Sequence, residues 1–216
     1  MTHAELIAAM EATWPAAATT RHGPWTIRDG QGGGKRVSAA TALPGWHPTD
    51  LPQAEAAMTA LGQPPLFLVR DGDTALDETL AGQGYRVVDP VIGYAAPLAA
   101  LADVPPAPMT SFPHWPPMAI AESLWAEGGI GPARLAVMQR VQAPKTAILG
   151  RANDRAAGAA FVAIHGNIAM LHALEVTPAL RRQGSAHNIL RAAALCRRRA
   201  ICLRPIRRPW RAAGAP

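Results

Sequence analysis

The residues best suited to chemistry lie in one short stretch, L-E-V-T-P-A-L-R-R-Q-G-S-A-H, which runs from Leu174 to His187. Within it Arg181, Gly184 and Ala186 follow the spacing R-x-x-G-x-A, between an apolar run and a helical one. A helix N-terminus offers backbone N–H groups and a favourable dipole to an anion, and residues with small side chains let the anion approach. The spacing alone is a weak signal, since it occurs often by chance, but the residue types are compatible with a phosphate-binding turn. The alternative is an ordinary strand–turn–helix with surface arginines.

Two side chains on the strand before this turn could act as a general base. They are His172 and Glu175, three positions apart. Side chains alternate along a strand, which predicts His172, Leu174 and Val176 on one face and Ala173 with Glu175 on the other. At most one of the two candidates should therefore look toward a substrate. For either residue, the alternative is a side chain that points to solvent or is bonded locally.

Three other patterns were considered as functional sites and are not interpreted as such. The run Gly32-Gly33-Gly34-Lys35 lacks the G-x-x-x-x-G-K-[ST] spacing, since Arg36 follows the lysine, and is interpreted as a flexible turn. Cys196 and Cys202 form a lone C-x5-C, so they are interpreted as unpaired thiols and no metal site is predicted. The G-x-S-x-G pattern of a serine nucleophile is absent.

Charge is distributed very unevenly along the 216 residues, although the formal net charge is only +6. Seven of the 21 Lys and Arg lie in residues 196–216, which hold no acid, so residues 1–195 carry 14 basic and 15 acidic groups and a net −1. Such a basic tail can bind phosphate backbones without sequence preference. We therefore expect no specific nucleic-acid partner for the remainder of the chain.

The composition otherwise describes a folded chain, with 49% hydrophobic and 17% charged residues. No apolar run approaches the ~20 residues that a membrane span needs. The N-terminal segment lacks the basic and apolar regions of a signal peptide and is interpreted as a short amphipathic helix. The expected location is the cytoplasm, without a membrane partner.

The first half of the chain consists of short elements. Two strand-like runs at 25–28 and 36–41 flank a glycine-rich turn and predict a hairpin. Helices are predicted over 51–61 and 76–83, a buried strand over 65–70, and an extended stretch over 85–95.

The second half restarts after residues 97–117, which are rich in proline and are interpreted as a linker. Helices are predicted over 118–127 and 132–142, and strands over 145–151, 157–164 and 168–176. A further helix begins near Gly184 and carries Ile189, Leu190, Ala193 and Ala194 on one face. This order places the R-x-x-G-x-A turn between the last strand and the last helix.

The sequence Leu174-Glu175-Val176-x-Pro178, followed by R-x-x-G-x-A, resembles the core motif of the GNAT (GCN5-related) N-acetyltransferases. The resemblance covers residues 118–195, and its specific motif lies within 171–195. It implies that backbone amides hold the pyrophosphate of acetyl-CoA and that the main chain of 174–176 pairs with the pantetheine arm. The residues expected to contact the coenzyme are Leu174, Glu175, Val176, Arg181, Arg182, Gln183, Gly184, Ser185, Ala186 and His187.

The same resemblance selects the catalytic candidate. In the family arrangement Glu175 lies nearer the thioester than His172 does, so Glu175 is the preferred base for removing a proton from the attacking amine. A backbone amide near Val176 would polarise the thioester carbonyl.

A weaker resemblance lies upstream, where Leu80 to Val88 (L-A-G-Q-G-Y-R-V-V) looks like the helix-to-strand junction late in the same family. The expected fold is α/β: a GNAT-like mixed, mostly antiparallel sheet flanked by helices, in a tandem of a degenerate and a coenzyme-binding unit. The predicted domains are a degenerate N-terminal region (1–96), the linker (97–117), the coenzyme-binding core (118–195) and a basic, disordered tail (196–216).

The chain departs from the family after residue 195. The family continues with a strand, an Asn-x-x-Ala-x-x-Leu-Tyr helix and a final strand pair, and its tyrosine often protonates the departing thiolate. This chain has no tyrosine there, and its Arg, Pro, Ala and Gly are residues of GC-rich codons. The hypothesis is a frameshift near residue 195 that truncates the acetyltransferase domain; the alternative is a genuine basic tail.

The function predicted from these observations is transfer of an acetyl group from acetyl-CoA to an amine of a small molecule or peptide. A catalytically impaired remnant that still binds acyl-CoA is the first alternative, and nucleic-acid binding through the arginine tail is the second. A homodimer is the expected assembly.

Overall fold

The computed structural model describes residues 2–195 and, for the backbone, residues 211–214. The described residues form two compact units. Unit 1 contains residues 2–15 and 94–195, and unit 2 contains residues 16–93 and 211–214. Cys196, Cys202, the arginines at 197–208 and the proposed frameshift point all lie outside the described residues or at their boundary.

Unit 1 is built on a four-stranded antiparallel sheet whose strands lie side by side in chain order. Its strands are β6 (Ser111–His114), β7 (Lys145–Ala152), β8 (Arg155–His165) and β9 (Ile168–Val176). Its helices are α1 (His3–Thr13), α4 (Ala119–Glu127), α5 (Pro132–Arg140) and α6 (Ser185–Leu195).

Local signals account for where several of these elements begin and turn. Thr2 and Glu5 form a capping box at the start of α1, in which each side chain accepts from the other's backbone N–H. Pro132 occupies the first turn of α5, where its missing N–H costs nothing. Asn153 and Asp154, between β7 and β8, both have positive φ (49° and 58°), as a tight hairpin turn requires.

Two apolar layers cover the sheet of unit 1. Ile189 of α6 packs against Ile148, Ala160 and Val162 of the central strands. At Gly150, a β-carbon would lie 2.6 Å from Ile189 Cδ1, so glycine there admits the helix. The opposite face carries Phe161, whose ring lies 6.1 Å from that of Trp14 after α1.

Unit 2 contains two small sheets and two helices. Strands β1 (Ala18–His22), β2 (Trp25–Asp29) and β3 (Thr41–Ala42) form one antiparallel sheet, and β4 (Leu66–Val69), β10 (Arg211–Gly214) and β5 (Arg86–Val88) form the other. Ala40, next to β3, forms a parallel bridge with Phe67 of β4, so unit 2 contains both antiparallel and parallel pairing. The core consists of Trp25, Ile27, Met58, Phe67, Leu76 and Leu80, with α2 (Leu51–Ala60) and α3 (Thr74–Gly82) supplying three of them.

The α/β class and the mostly antiparallel sheet flanked by helices are confirmed, and most elements of the second half match the predicted spans. The predicted hairpin is different: β2 pairs with β1, and Lys35–Val37 is a 3-10 turn. The predicted linker also contains a strand, because β6 joins the sheet beside β7.

The C-terminal segment differs from its prediction as well. Residues 196–216 were predicted to be a disordered tail, but Arg211–Gly214 form a strand hydrogen-bonded on both sides, to β4 and to β5. Helix α1, predicted within the N-terminal region, belongs to unit 1. Both differences arise from contacts between residues far apart in the sequence, which local patterns do not register.

Within residues 2–195 and 211–214, every helix is too short or too polar to cross a bilayer.

Candidate functional site

The turn after β9 has a backbone that only some residues tolerate. A 3-10 turn at Pro178–Leu180 buries Leu180, and Arg182 and Gly184 then have positive φ of 63° and 82°. Glycine adopts this conformation without strain, and a β-carbon on Gly184 would meet nothing within 4 Å. The chain therefore enters α6 at Ser185 with an open space in front of the turn.

The first amides of α6 have no backbone acceptor among the described residues. Asn188 is the first helical residue whose N–H is bonded at this end, to the carbonyl of Gly184 at 3.0 Å. The N–H groups of Ser185, Ala186 and His187 precede it, and no backbone acceptor for them lies among the described residues. Three convergent donors at a helix N-terminus suit an anionic oxygen cluster.

The hydroxyl of Ser185 adds a further unpaired donor at the same place. Ser185 is 3% exposed, and its Oγ has no hydrogen-bond partner in the described part of the chain. A buried hydroxyl without a partner is costly, and an ordered water or a ligand oxygen can satisfy it. This orphaned donor fits a phosphate oxygen at the helix N-terminus.

Strand β9 presents an open edge next to the turn. It is the outermost strand of its sheet in the described residues. The N–H of Thr177 donates to the carbonyl of Ala157 at 2.9 Å, so by ladder alternation the N–H and C=O of Val176 point away from β8. An extended chain could therefore pair with this edge at Val176.

A β-bulge shapes β9 just before that point. Phe161 is opposite His172 and Ala159 is opposite Glu175, so the single residue Ala160 faces two residues of β9. Ala173, one of the two, has a φ of 51°, and its carbonyl accepts a hydrogen bond from Trp125 Nε1 at 2.8 Å. The α4 tryptophan thus holds the bulge.

The bulge overturns the alternation predicted from the sequence. Leu174 packs beside Leu171 on the α6 face, whereas His172 and Glu175 both lie on the opposite face. The placement of His172 with Leu174, and of Ala173 with Glu175, was therefore wrong. One inserted residue reverses the side-chain faces beyond it.

His172 is a buried structural residue despite sharing a face with Glu175. It is 5% exposed, and its Nε2 lies 2.9 Å from Thr13 Oγ1. That hydroxyl donates to the Ala9 carbonyl at 2.6 Å, so His172 Nε2 carries the hydrogen that Thr13 accepts. The ring of Trp14 covers the imidazole at 5.0 Å.

Glu175 lies at the surface end of the same face. Its side chain is 20% exposed, and Arg181 Nη2 is 3.1 Å from Glu175 Oε1. The carboxylate packs against the end of α4, where a β-carbon on Gly128 would lie 2.6 Å from Glu175 Cγ and Cδ. Arg181 also donates from Nε to the Val176 carbonyl at 2.9 Å.

The β7–β8 hairpin also contacts the turn after β9. Asn153 Nδ2 donates to Gln183 Oε1 at 2.8 Å, and the adjacent Arg151 pairs with Asp154 at 2.8 Å. The sequence predicted a break between the strands 145–151 and 157–164 but not this contact. The hydrogen bond from Trp125 to β9 and the contact of Gly128 with Glu175 were also not predicted, because both depend on how α4 packs against β9.

The residues expected to contact a coenzyme form a continuous path in the structure. Leu174, Glu175 and Val176 end β9, Arg181, Arg182, Gln183 and Gly184 form the turn, and Ser185, Ala186 and His187 begin α6. The side chain of Leu174 is directed to the α6 face, so only its main chain is available at the edge.

No protein-family model and no curated protein matches the sequence. Solved structures resemble most of the chain or nearly all of it. A GCN5-related N-acetyltransferase from Kribbella flavida matches with a TM-score of 0.70 and 16% identity, covering 99% of this chain and 95% of its own. A conserved protein of unknown function from Staphylococcus epidermidis matches with a TM-score of 0.64 and 9% identity, covering 88% and 83%. At these identities the likeness concerns the fold, so this chain has the fold seen in a GCN5-related N-acetyltransferase.

Proposed function

We propose that this protein is an N-acetyltransferase that moves an acetyl group from acetyl-CoA to an amine. The observation that carries the proposal is the helix N-terminus at Ser185, with three amides and a buried hydroxyl that lack acceptors among the described residues. It lies directly after the open strand edge at Val176. A phosphate site beside an open strand edge matches the two polar parts of coenzyme A, its diphosphate and its amide-containing arm.

In this proposal the turn and the start of α6 hold the diphosphate, and the edge of β9 holds the pantetheine arm. The outward N–H of Val176 is positioned to polarise the thioester carbonyl. Glu175 accepts the proton that the amine loses as the C–N bond forms and the C–S bond breaks. The electron pair of the broken C–S bond leaves with the sulfur of coenzyme A, which then takes a proton from solvent.

The test of the binding site replaces Gly184, whose absent side chain leaves the approach open. Gly184→Val should abolish coenzyme A binding in calorimetry, but its positive φ also strains a β-branched residue. Gly184→Asn separates the two effects, since asparagine tolerates this backbone and still obstructs the approach. We expect Gly184→Asn to weaken binding at least about tenfold, roughly the loss of 1.4 kcal/mol.

Gly166→Asn is the matched control. Gly166 also has a positive φ, 57°, and open space around its β-carbon position, but it lies in the turn at the other end of β9. The Gly166→Asn variant should bind coenzyme A with the same affinity as the parent. Equal binding by Gly184→Asn and the parent would refute the assignment of the turn.

Turnover needs a separate measurement. Incubation of the protein with acetyl-CoA and a panel of amines, followed by mass spectrometry of the products, should detect acetylated amine. Coenzyme binding without any transfer would instead favour the impaired acyl-CoA-binding alternative.

A further inference from the structure

We propose that Arg181 is a positioning residue that holds Glu175 and covers the strand edge until coenzyme A displaces its side chain. The proposal rests on the proposed function, since it assigns a binding order to the same site. The guanidinium bridges two groups, the Val176 carbonyl at 2.9 Å and Glu175 Oε1 at 3.1 Å. Each of these groups has a different role in the proposed reaction.

The contact with Val176 competes with the pantetheine arm. Only the N–H and C=O of a residue that point away from β8 can pair with an added strand, and Val176 supplies such a pair. Arg181 Nε already lies at hydrogen-bonding distance from that carbonyl. The oxygen can accept two hydrogen bonds, but a guanidinium at this distance crowds the place of an incoming N–H, so the arm pairs there more readily once the guanidinium has moved.

The second contact of Arg181 blocks an oxygen of Glu175, the proposed base. Glu175 Oε1 already accepts a hydrogen bond from the guanidinium, so this direction of approach is closed to an incoming amine. Glu175 is 20% exposed and Arg181 is 56% exposed, so the arginine is the freer partner to leave. Gly128 remains packed against the carboxylate when Arg181 departs.

The diphosphate of coenzyme A is a stronger partner for Arg181 than Glu175 is. Arg181 lies at the beginning of the turn whose amides are proposed to hold the phosphates, within four residues of Ser185. A guanidinium forms bidentate bonds with phosphate, and two phosphates offer more negative charge than one carboxylate. Binding of coenzyme A therefore exchanges one partner of Arg181 for another and releases Glu175. The amine finds a functioning base only after the coenzyme is bound.

Two probes, coenzyme A and pantetheine, test the exchange because only the first carries phosphates. In Arg181→Ala the edge is free but the phosphate contact is lost. Pantetheine should bind this variant more tightly than it binds the parent, while coenzyme A should bind it less tightly. A merely structural arginine would move both affinities in the same direction.

The substitution Glu175→Gln provides a second test. Removing the carboxylate charge releases Arg181 in advance, so coenzyme A should bind about two- to fivefold more tightly, the range of an exposed ion pair. The gain should vanish in the Glu175→Gln, Arg181→Ala double variant. Glu127→Gln, an exposed glutamate at the end of α4, is the control and should leave the affinity unchanged.

The outcomes separate this proposal from the proposed function. If the parent binds coenzyme A and Glu175→Gln leaves the affinity unchanged or weakens it, the displaced-arginine proposal is wrong and the binding site stands. The displaced-arginine proposal is also wrong if Arg181→Ala weakens the binding of pantetheine and coenzyme A alike. If the parent binds neither probe, both proposals fail. Thermal unfolding of each variant identifies any loss that comes from misfolding.

Discussion

Ala173 fixes the geometry of the candidate site more than any charged residue does. Its φ of 51° lies in a region that non-glycine residues enter at a cost of roughly 1 kcal/mol or more. The hydrogen bond from Trp125 to its carbonyl offsets part of that cost. The resulting bulge turns Glu175 toward the end of α4, where its carboxylate meets Gly128.

Gly128→Ala tests that contact at the scale of one residue. Gly128 has φ −82° and ψ 8°, which alanine adopts freely, so folding stability should stay equal or rise by about 0.4–1 kcal/mol. The new methyl group displaces the flexible end of Glu175. Loss of a positioned base costs ~10²–10⁴-fold, so we expect kcat/KM for the amine to fall at least tenfold. Coenzyme affinity should stay equal or rise, because the displaced carboxylate no longer holds Arg181.

The matched control for this substitution is Gly131→Ala. Gly131 also has negative φ, and a β-carbon there meets nothing within 4 Å. The Gly131→Ala variant should keep the activity of the parent. An active Gly128→Ala variant would show that the position of Glu175 does not matter for transfer.

Tyr85 in unit 2 provides a pH-dependent prediction. Burial, together with a hydrogen bond to the Glu55 carboxylate, raises the pKa of Tyr85 above its usual value. A phenol with a raised folded-state pKa stabilises the fold fully below its unfolded pKa of about 10, and this contribution is lost as pH rises through the folded-state pKa. We expect the free energy of unfolding to fall above pH ~10.

The chain's two tyrosines make the measurement direct. In a Tyr94→Phe background, tyrosinate absorbance reports Tyr85 alone, and its midpoint should be higher in the folded than in the urea-unfolded protein. Tyr85→Phe should remove the corresponding part of the stability loss. Coincident folded and unfolded midpoints would contradict the burial of the phenol.

At the scale of elements, the site was predictable where its parts are contiguous in sequence. The strand 168–176, the turn at Gly184 and the following helix were each predicted within a few residues, since apolar periodicity and glycine define them locally. The bulge was not, because a positive φ at Ala173 has no sequence signal of its own. Strand β6 was hidden in a proline-rich segment for a similar reason: its pairing with β7 is a tertiary contact.

Strand β10 gives an element-scale prediction. It lies between β4 and β5 with Ala213 opposite both Phe67 and Val87, so each of its residues bonds to one neighbour or the other. Ala213→Pro removes one ladder N–H and leaves its acceptor unpaired, which should destabilise unit 2 by about 1–3 kcal/mol. Ala213→Ser keeps the N–H and is the control.

Hydrogen exchange can locate that effect. The N–H of Leu68 bonds to the Ala40 carbonyl at 2.8 Å, so alternation directs the N–H groups of Phe67 and Val69 toward β10. Ala213→Pro should reduce protection at Phe67 and Val69 before it does so at Leu68. Equal protection in the parent and the variant would argue against the pairing of β10.

At the scale of the whole molecule, the division into units could not be read from the order of the elements. Residues 2–15 join 94–195, and residues 211–214 join 16–93, so each unit is assembled from segments at a large sequence separation. Such pairings depend on complementary surfaces rather than on composition. The frameshift near residue 195 stays a prediction, since residues 196–210 lie outside the described part.

The charge distribution is the last whole-molecule property with a testable consequence. Replacing the six arginines at positions 197, 198, 199, 204, 207 and 208 by serine lowers the formal net charge from +6 to 0 and leaves the residues of β10 in place. Binding of nucleic acid through the tail depends on these charges and should disappear. The proposed coenzyme site lies within residues 174–187 and should keep its affinity at physiological ionic strength, because none of its residues is replaced.

The salt dependence distinguishes these two effects. At low ionic strength the parent should capture the anionic coenzyme faster than the serine variant, because net positive charge steers an anion over a longer distance. The difference in association rate, measured by stopped-flow, should shrink as salt is raised to about 0.15 M, while the dissociation rates stay alike. A lasting loss of coenzyme affinity in the serine variant at that salt concentration would place the arginines in direct contact with the coenzyme and extend the site beyond the turn at Gly184.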